Sequence, residues 1–522
     1  MTLSPFELEI FQNVLSSIAE EMGMSLIRAG FSPNIKERRD LSCAIFDQKG
    51  EMIAQAAHIP VHLGSMSFAV KAILDQKEIL EGDIFIINDP FNGGTHLPDI
   101  TCIAPVFVNN KVEFFVASRA HHADVGGITP GSMPLSTHIN QEGVLIPPTK
   151  LYKKGRLQTR IMANIINSTR DPEEREGDFK AQIAALEIGI SRLKQVIKKY
   201  SLKKIKQAGQ ELLNYSEKIM RNVIRDIPNG NYSFKDCLDD DGAGTKTIPI
   251  NVKVIVKQNK VVVDFRGSSP TVRGCVNTPF SVTTSAVLYC FQCLAPPEIP
   301  LNSGPLRLIK IVADNNSILN AKYPSAVAGG NVETSQRVVD VVFGALSNAI
   351  PQRVPAASPG TMSNITFGGI LKSGKKYAYY ETIGGGMGAR YGIRGVNALQ
   401  THMTNTLNTP IESLERELPI LIEEYSIRRN SGGKGMYNGG DGITRSFNFL
   451  SNSTVTLITE RRNSQPYGIN GGNKGKRGIN NIIKNNTAIK LSPKISLQVK
   501  KNEIVKIETP GGGAWGKPIK KK

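Results

Sequence analysis

The chain has 522 residues, 40% apolar and 21% charged, the make-up of a soluble globular protein of two to four ordinary domains or one composite one. No run of 18 apolar residues is present and the start is acidic and helical in pattern, which argues against a membrane span and a secretory signal and makes the cytoplasm the expected compartment. Sixty-four basic against 45 acidic residues leave a formal charge of +19, but the lysines are spread out and no nucleic-acid motif accompanies them, so the charge reads as a solvated surface or a match for an acidic partner subunit.

Taken in order, residues 5–29 predict an amphipathic helix, with Phe6, Ile10, Val14, Ile18, Met22 and Leu26 at four-residue steps and Gly30 as a stop. A charged loop over 32–40 leads to short strands at 41–46 and 52–57. Asp40 stands at the entry to the first, available as a ligand or as a partner for Arg38 or Arg39. His58 and His62 are separated by Pro60, which argues for a loop. A helix over 65–80 and a buried strand over 83–87 follow.

Residues 88–142 are the most informative stretch. Six of the seven histidines fall between positions 58 and 138, and His96, His121, His122 and His138 lie here among Asp89, Asp99 and Asp124. Imidazole is the commonest metal ligand and the usual general base near neutral pH, so the cluster points to a metal or acid–base site. Residues 100–108 and 112–118 read as a hairpin around Asn109-Asn110, whose residue type tolerates positive φ. Facing positions then sum to 219 or 220, which sets Asp99 opposite Ala120 or His121. One end of one hairpin gathers His96, Asp99 and either His121 or His122. Two imidazoles and a carboxylate suit a divalent ion with open positions, such as Zn, Mn or Fe.

Asp171-Pro172 reads as a helix start, and the helical pattern runs to about Arg225 with breaks expected at Gly177, Gly189 and Tyr200-Ser201. Strands are expected at 232–236, 247–256 and 260–265. The acidic run Asp239-Asp240-Asp241 reads as a solvated turn. Six cysteines suggest reduced thiols, and the lone Cys290-Phe-Gln-Cys293 lies in an apolar, buried helix. The last 200 residues carry glycine clusters at 328–336, 381–392, 430–442, 469–478 and 509–516, expected as tight turns or as loops where backbone approaches a partner. The GxxxxGK[ST] pattern of a P-loop is absent. The fold class expected is α+β, one composite domain over 1–516. Its parts would be a metal-site region (1–165), a helical segment (166–228) and a Gly-rich β region (229–516), with a basic tail at 517–522.

The strings SPNIKERRDLSCAIFD, GDIFIINDPFNGGTHLPDI, SRAHHADVGGITPGSMP, DPEEREGDFKAQIAA, GGNVETSQRVVDVVFGAL, NTLNTPIESLERELP and TPGGGAWG occur in this order from residue 32 to 516. On them the chain resembles the hydantoinase B/oxoprolinase family. The resemblance implies one divalent metal ion (Mn, Zn or Fe) on His96, Asp99 and His121, with Asp40 as a fourth ligand. It makes His122 and Asp124 outer partners of the ligands and, with Glu142, candidate catalytic residues. Glu142 is a candidate for proton transfer. It implies a separate A-type subunit with an actin-like fold that handles ATP and phosphorylates the carbonyl oxygen of a lactam or hydantoin such as 5-oxoproline. The B-type subunit would then open the activated ring. A ketone carboxylase subunit of the acetone or acetophenone type is the alternative within the family. A non-haem iron oxygenase is the alternative outside it, disfavoured by HxxD in place of an HxD pair, and a nucleic-acid scaffold ranks below both.

Overall fold

The computed structural model describes residues 3–518 apart from residues 57 and 77; the last four residues of the basic tail lie outside the described residues. Ser4 and Glu7 cap the first helix, α1 (Pro5–Ala29), by a reciprocal pair of hydrogen bonds. Its buried stripe is Phe11, Leu15, Ile18, Met22 and Leu26, whereas Phe6 is exposed. A helix advances ~100° per residue, so each four-residue step drifts ~40° and a run of such steps leaves the face it began on. The expected stripe was too regular for that reason.

The first half of the chain builds one layered unit. A single turn, α2 (Pro33–Lys36), precedes the hairpin β1 (Leu41–Asp47) and β2 (Met52–Gln55). Then come α3 (His62–Leu74), β3 (Ile84–Ile87) and the long hairpin β4 (Asp99–Val108) and β5 (Lys111–His121). The series continues with β6 (Thr149–Lys153), β7 (Arg156–Leu157), α4 (Thr159–Ile166), α5 (Pro172–Tyr200) and α6 (Leu202–Arg225). Among the described residues the seven strands form one antiparallel sheet in the order β2-β1-β5-β4-β3-β6-β7. One face carries Cys43, Ile45, Cys102, Ala104, Phe114 and Val116 and packs against α1, α5 and α6. The other carries Ala44, Phe46, Ile103, Phe115 and Ala117 and packs against α3. This alternation fixes which way each side chain of the sheet points.

In the β4–β5 hairpin Asn109 and Asn110 both take positive φ (51° and 63°), the two-residue turn that suits strand twist. The register slips by one residue between Val106 and Phe107, so both expected registers occur, one on each side of the irregularity. On the inner side Asp99 faces His121. The long helical pattern breaks at Ser201, where φ is 73°. Gly177 and Gly189 do not break α5. They admit Phe31 and Met22 instead, which would stand 2.4 and 2.5 Å from an added Cβ.

The second half starts with β8 (Gly230–Asp240), β9 (Lys246–Lys257) and β10 (Lys260–Asp264), followed by α7 (Phe280–Gln292), β11 (Ile309–Val312) and α8 (Ser335–Leu346). Strand order is β11-β10-β9-β8, with α8 on β8 and β9, and α7 between α8 and α3. The chain closes with β12 (Asn364–Ile370), β13 (Lys376–Glu381), α9 (Ile411–Glu417), β14 (Ile420–Arg428), β15 (Gly442–Phe449), β16 (Ser453–Ile458), β17 (Ile479–Lys484), β18 (Thr487–Lys490), β19 (Lys494–Val499) and β20 (Ile504–Glu508). These form sheets β13-β12-β16-β19 and β14-β15-β20-β17-β18, which share a core around Phe367, Phe447, Leu457 and Val505. The whole is α+β, as expected.

Two expectations are corrected here. The acidic run is not a solvated turn. Asp239 is buried and accepts from the N–H groups of Arg462, Asn463 and Ser464, and Asp241 accepts from Ala243, Thr245 and Gly274. The carboxylates saturate backbone donors, which offsets the cost of burying them. Nor are the C-terminal glycines mainly turns. Gly386, Gly439, Gly440 and Gly512 lie backbone against backbone, joined by Gly440 N–H to Met387 O and Gly512 N–H to Gly440 O at 2.9 Å each. They approach one another and Met387.

Candidate metal centre

The site forms at one end of the first sheet. Asp99 opens β4 and His121 closes β5, paired across the ladder, so their side chains share the face that packs on α3. His96 enters from the turn before β4. Its Nε2 lies 3.2 Å from Asp99 Oδ1, and His121 Nδ1 lies 3.0 Å from the same oxygen. The two imidazole nitrogens are 3.3 Å apart. His96, Asp99 and His121 are 0%, 1% and 2% exposed, so the group is sealed from solvent.

Three electron-rich atoms this close require a cation or shared protons between them. Ligand atoms ~2.1 Å from one ion stand ~3.0 Å apart at octahedral angles and ~3.4 Å at tetrahedral ones. The observed triangle of 3.0, 3.2 and 3.3 Å falls between these limits. His96 Nδ1 donates to Ala328 O at 3.3 Å, the outer hydrogen bond that orients a ligating imidazole. The donor set therefore fits a divalent ion. Among the described residues these three form the group of potential ligands that meets at one point.

Asp99 is held by more than its two imidazoles. Its Oδ2 accepts from Thr95 Oγ1 at 2.6 Å and Asn331 Nδ2 at 3.2 Å, and stands 3.3 Å from His62 Nε2. Burial alone would raise its pKa, but the His96 charge and the bonds from His121 and His62 hold the carboxyl well below the usual range. Burial disfavours charge on His96, yet Asp99 raises its pKa. For His121 burial wins and lowers it. The Tyr380 ring stacks on His121 at 4.6 Å, with the Arg38 guanidinium 4.7 Å from the same ring.

The remaining predicted residues fall in three places. Asp40 stands at the entry to β1; its carbonyl accepts from His121 N–H at 3.0 Å, its carboxylate lies 3.9 Å from Arg38, and its charge acts on His121. His122 points to the opposite face of the sheet, where Nε2 meets Gln182 Oε1 at 2.9 Å and the ring packs on Phe179. Burial, reinforced by Arg175, pushes its pKa down to about 4. Asp124 lies beyond the strand, bound by Ser132 Oγ at 2.8 Å and by Arg170 Nη1 at 2.7 Å. Neither His122 nor Asp124 joins the triangle.

Glu142 does come near it. Its Oε1 accepts from Ser136 Oγ and from the N–H groups of Val327 and Ala328, the residue whose carbonyl holds His96. Its Oε2 is buried with no hydrogen-bond partner among the described residues. Burial raises its pKa from 4.5 to about 7 despite these bonds. The folded state thus binds this proton more tightly than the unfolded chain does. Its contribution to stability is full below pH 4.5 and is lost as pH rises through about 7. Glu142→Gln is expected to flatten the melting temperature of metal-free protein against pH across that window; an unchanged slope would place the proton elsewhere.

Sequence reading missed His62 and Asn331. Pro60 argues for a loop at His62, but His62 is the first residue of α3, and its Nδ1 bonds Ser42 Oγ at 2.9 Å. Asn331 comes from a glycine cluster 232 positions from Asp99.

The fold and site define an α+β protein with a sealed two-histidine, one-carboxylate centre able to hold a divalent ion. The profile of the hydantoinase B/oxoprolinase family matches residues 4–518, and the chain belongs to that family. It is 43% identical over 519 residues to an uncharacterized protein of Methanocaldococcus jannaschii, covering 98% of this chain and 91% of that one. It is 41% identical over 531 residues to the 5-oxoprolinase of Dictyostelium discoideum, covering 98% of this chain but only 40% of that longer protein. Its fold superimposes on the crystal structure of an ATP-dependent caprolactamase from Pseudomonas jessenii with a TM-score of 0.93 at 26% identity, covering 99% of this chain and 92% of that one. Among the described residues no helix is long and apolar enough to cross a membrane.

Proposed function

We propose that the chain is the metal-holding component of an ATP-dependent hydrolase that opens a cyclic amide. The observation that carries this reading is the buried triangle of His96, Asp99 and His121 in a fold shared with proteins named 5-oxoprolinase and ATP-dependent caprolactamase. The compounds in those names have a ring amide in common. An amide resists water because resonance strengthens its C–N bond. In this reading a separate A-type component handles ATP and phosphorylates the carbonyl oxygen, in keeping with the lack of a P-loop pattern here. This chain then acts on the activated ring.

A divalent ion (Mn, Zn or Fe) held by His96, Asp99 and His121, with Asp40 as a further ligand, would supply Lewis acidity toward the oxygen on the reacting carbon. The chain's own residues do the rest. Thr95, His62 and Asn331 fix the Asp99 carboxylate. Glu142, poised near pH 7, takes or gives a proton at Oε2. His122 and Asp124 act through the backbone, anchoring the end of β5 on α5 and the following loop on Arg170. Burial keeps bulk water from the activated ring.

The test is to purify the chain with and without an A-type partner and supply ATP with 5-oxoproline, caprolactam and a hydantoin. Ring opening is expected only with both components and ATP. ATP turnover by this chain alone, or ring opening without ATP, would overturn the reading.

A further inference from the structure

Asn331 lies on a wide five-residue helical turn, Gly330–Thr334, that leads into α8. Such turns interrupt helices frequently at functional sites. This one is clamped: a Cβ on Gly330 would stand 1.8 Å from the Asn277 carbonyl oxygen. Asn277 is itself tied to Val272, Gly274 and Ala326 by its side-chain amide. The turn therefore presents Asn331 to the site in one fixed way.

Asn331 is 4% exposed, and its Nδ2 donates to Asp99 Oδ2 at 3.2 Å. An ionised carboxylate only accepts, so this contact decides which end of the amide faces Asp99. The other end, Oδ1, is buried and has no hydrogen-bond partner among the described residues. It sits on the same carbon as Nδ2, so it stays within the shell around Asp99. His121 Nε2, on the ring bonded to Asp99, and Glu142 Oε2, on the residue that shares Ala328 with His96, are likewise buried and without a hydrogen-bond partner among the described residues. A buried amide oxygen left unpaired costs free energy unless a donor arrives to fill it.

We infer that Asn331 is a specificity residue that accepts at Oδ1 the ring N–H of a secondary cyclic amide, kept by the O-phosphorylated ring while its nitrogen stays protonated, and holds Asp99 through Nδ2. This rests on the cyclic-amide reading above and adds the substrate feature recognised. In a lactam the nitrogen is bonded to the reacting carbonyl carbon. One amide side chain spanning Asp99 and that N–H would therefore fix the carbonyl relative to the ligand triangle. An N-methylated ring lacks the donor and sets a methyl group against Oδ1. Sites that hydrogen-bond a substrate N–H reject the analogue lacking it far more strongly than apolar pockets reject a missing methylene.

The experiment compares 5-oxoproline and caprolactam with their N-methyl derivatives, by calorimetric binding to the metal-loaded chain and by ATP-dependent ring opening with the A-type partner. The wild type is expected to favour each N–H compound. Asn331→Ala should collapse the preference by on the order of 10⁴-fold, chiefly through the N–H compounds. Thr95→Val removes a different bond to Asp99 and should lower both members of a pair alike, leaving their ratio unchanged. Metal content, measured on both variants, reports any shared loss of Asp99 support. An unchanged ratio in Asn331→Ala, or no wild-type preference in binding, overturns the inference even where ring opening occurs. Absence of ring opening for every compound overturns the enzymatic reading instead, and the binding ratio still judges Asn331.

Discussion

His121→Ala is expected to lose metal binding and all activity, whereas His122→Ala retains metal binding. The two histidines are chain neighbours, but successive residues of a strand point to opposite faces. Pairing with Asp99 commits His121 to the α3 face, where its Nδ1 lies 3.0 Å from the carboxylate. His122 is thereby committed to the α5 face, against Gln182 and Phe179. Removing His121 takes away a corner of the triangle and the ring on which Tyr380 stacks. The loss should exceed the ~10–100-fold typical of an outer partner. Removing His122 should act on stability instead. It opens a cavity beside Phe179 and leaves Gln182 Oε1 unpaired, which together cost about 1–3 kcal/mol. Metal content by elemental analysis, activity and melting temperature separate the two. If His122→Ala released the ion and His121→Ala retained it, the site would have to be redrawn on the other face of the sheet.

How far this was legible in sequence depends on how local each signal is. The hairpin could be read because strand alternation and Asn109-Asn110 are local patterns. The choice between two registers could not, because it turns on a slip at Val106/Phe107 that no residue type announces. His62 is hidden by Pro60, since proline ends one element as readily as it opens the next. Asn331 reaches Asp99 across 232 positions and several intervening elements, a contact that periodicity cannot carry. Burial of Asp239 and Asp241 was equally hidden, because their partners are backbone N–H groups, several of them remote, and every residue but proline has one.

Gly512→Ala is expected to be strongly destabilising for a single-methyl change. A Cβ at 512 would lie 2.1 Å from Met387 O and 2.3 Å from Met387 C. Both obstacles are backbone, so no side chain can rotate away. The same layer is tight elsewhere: a Cβ on Gly439 would meet Gly512 O at 2.0 Å, and one on Gly386 would meet Gly440 O at 1.9 Å. Relief requires whole segments to separate, breaking the bonds from Gly512 N–H to Gly440 O and from Gly440 N–H to Met387 O. The cost should reach about 3 kcal/mol or more, the upper range for overpacking. Gly374→Ala is the control. Gly374 has a φ of +83° with nothing within 4 Å of an added Cβ, so it feels conformational strain alone, about 1–2 kcal/mol. Urea midpoints of the two variants compare the mechanisms directly. Equal shifts would mean that the glycine layer yields easily and that its close approaches are incidental. The site should feel the change as well. Gly386 lies a few residues beyond Tyr380, whose ring packs on His121, so a displaced layer is expected to weaken metal retention in the Gly512 variant while the Gly374 variant keeps it.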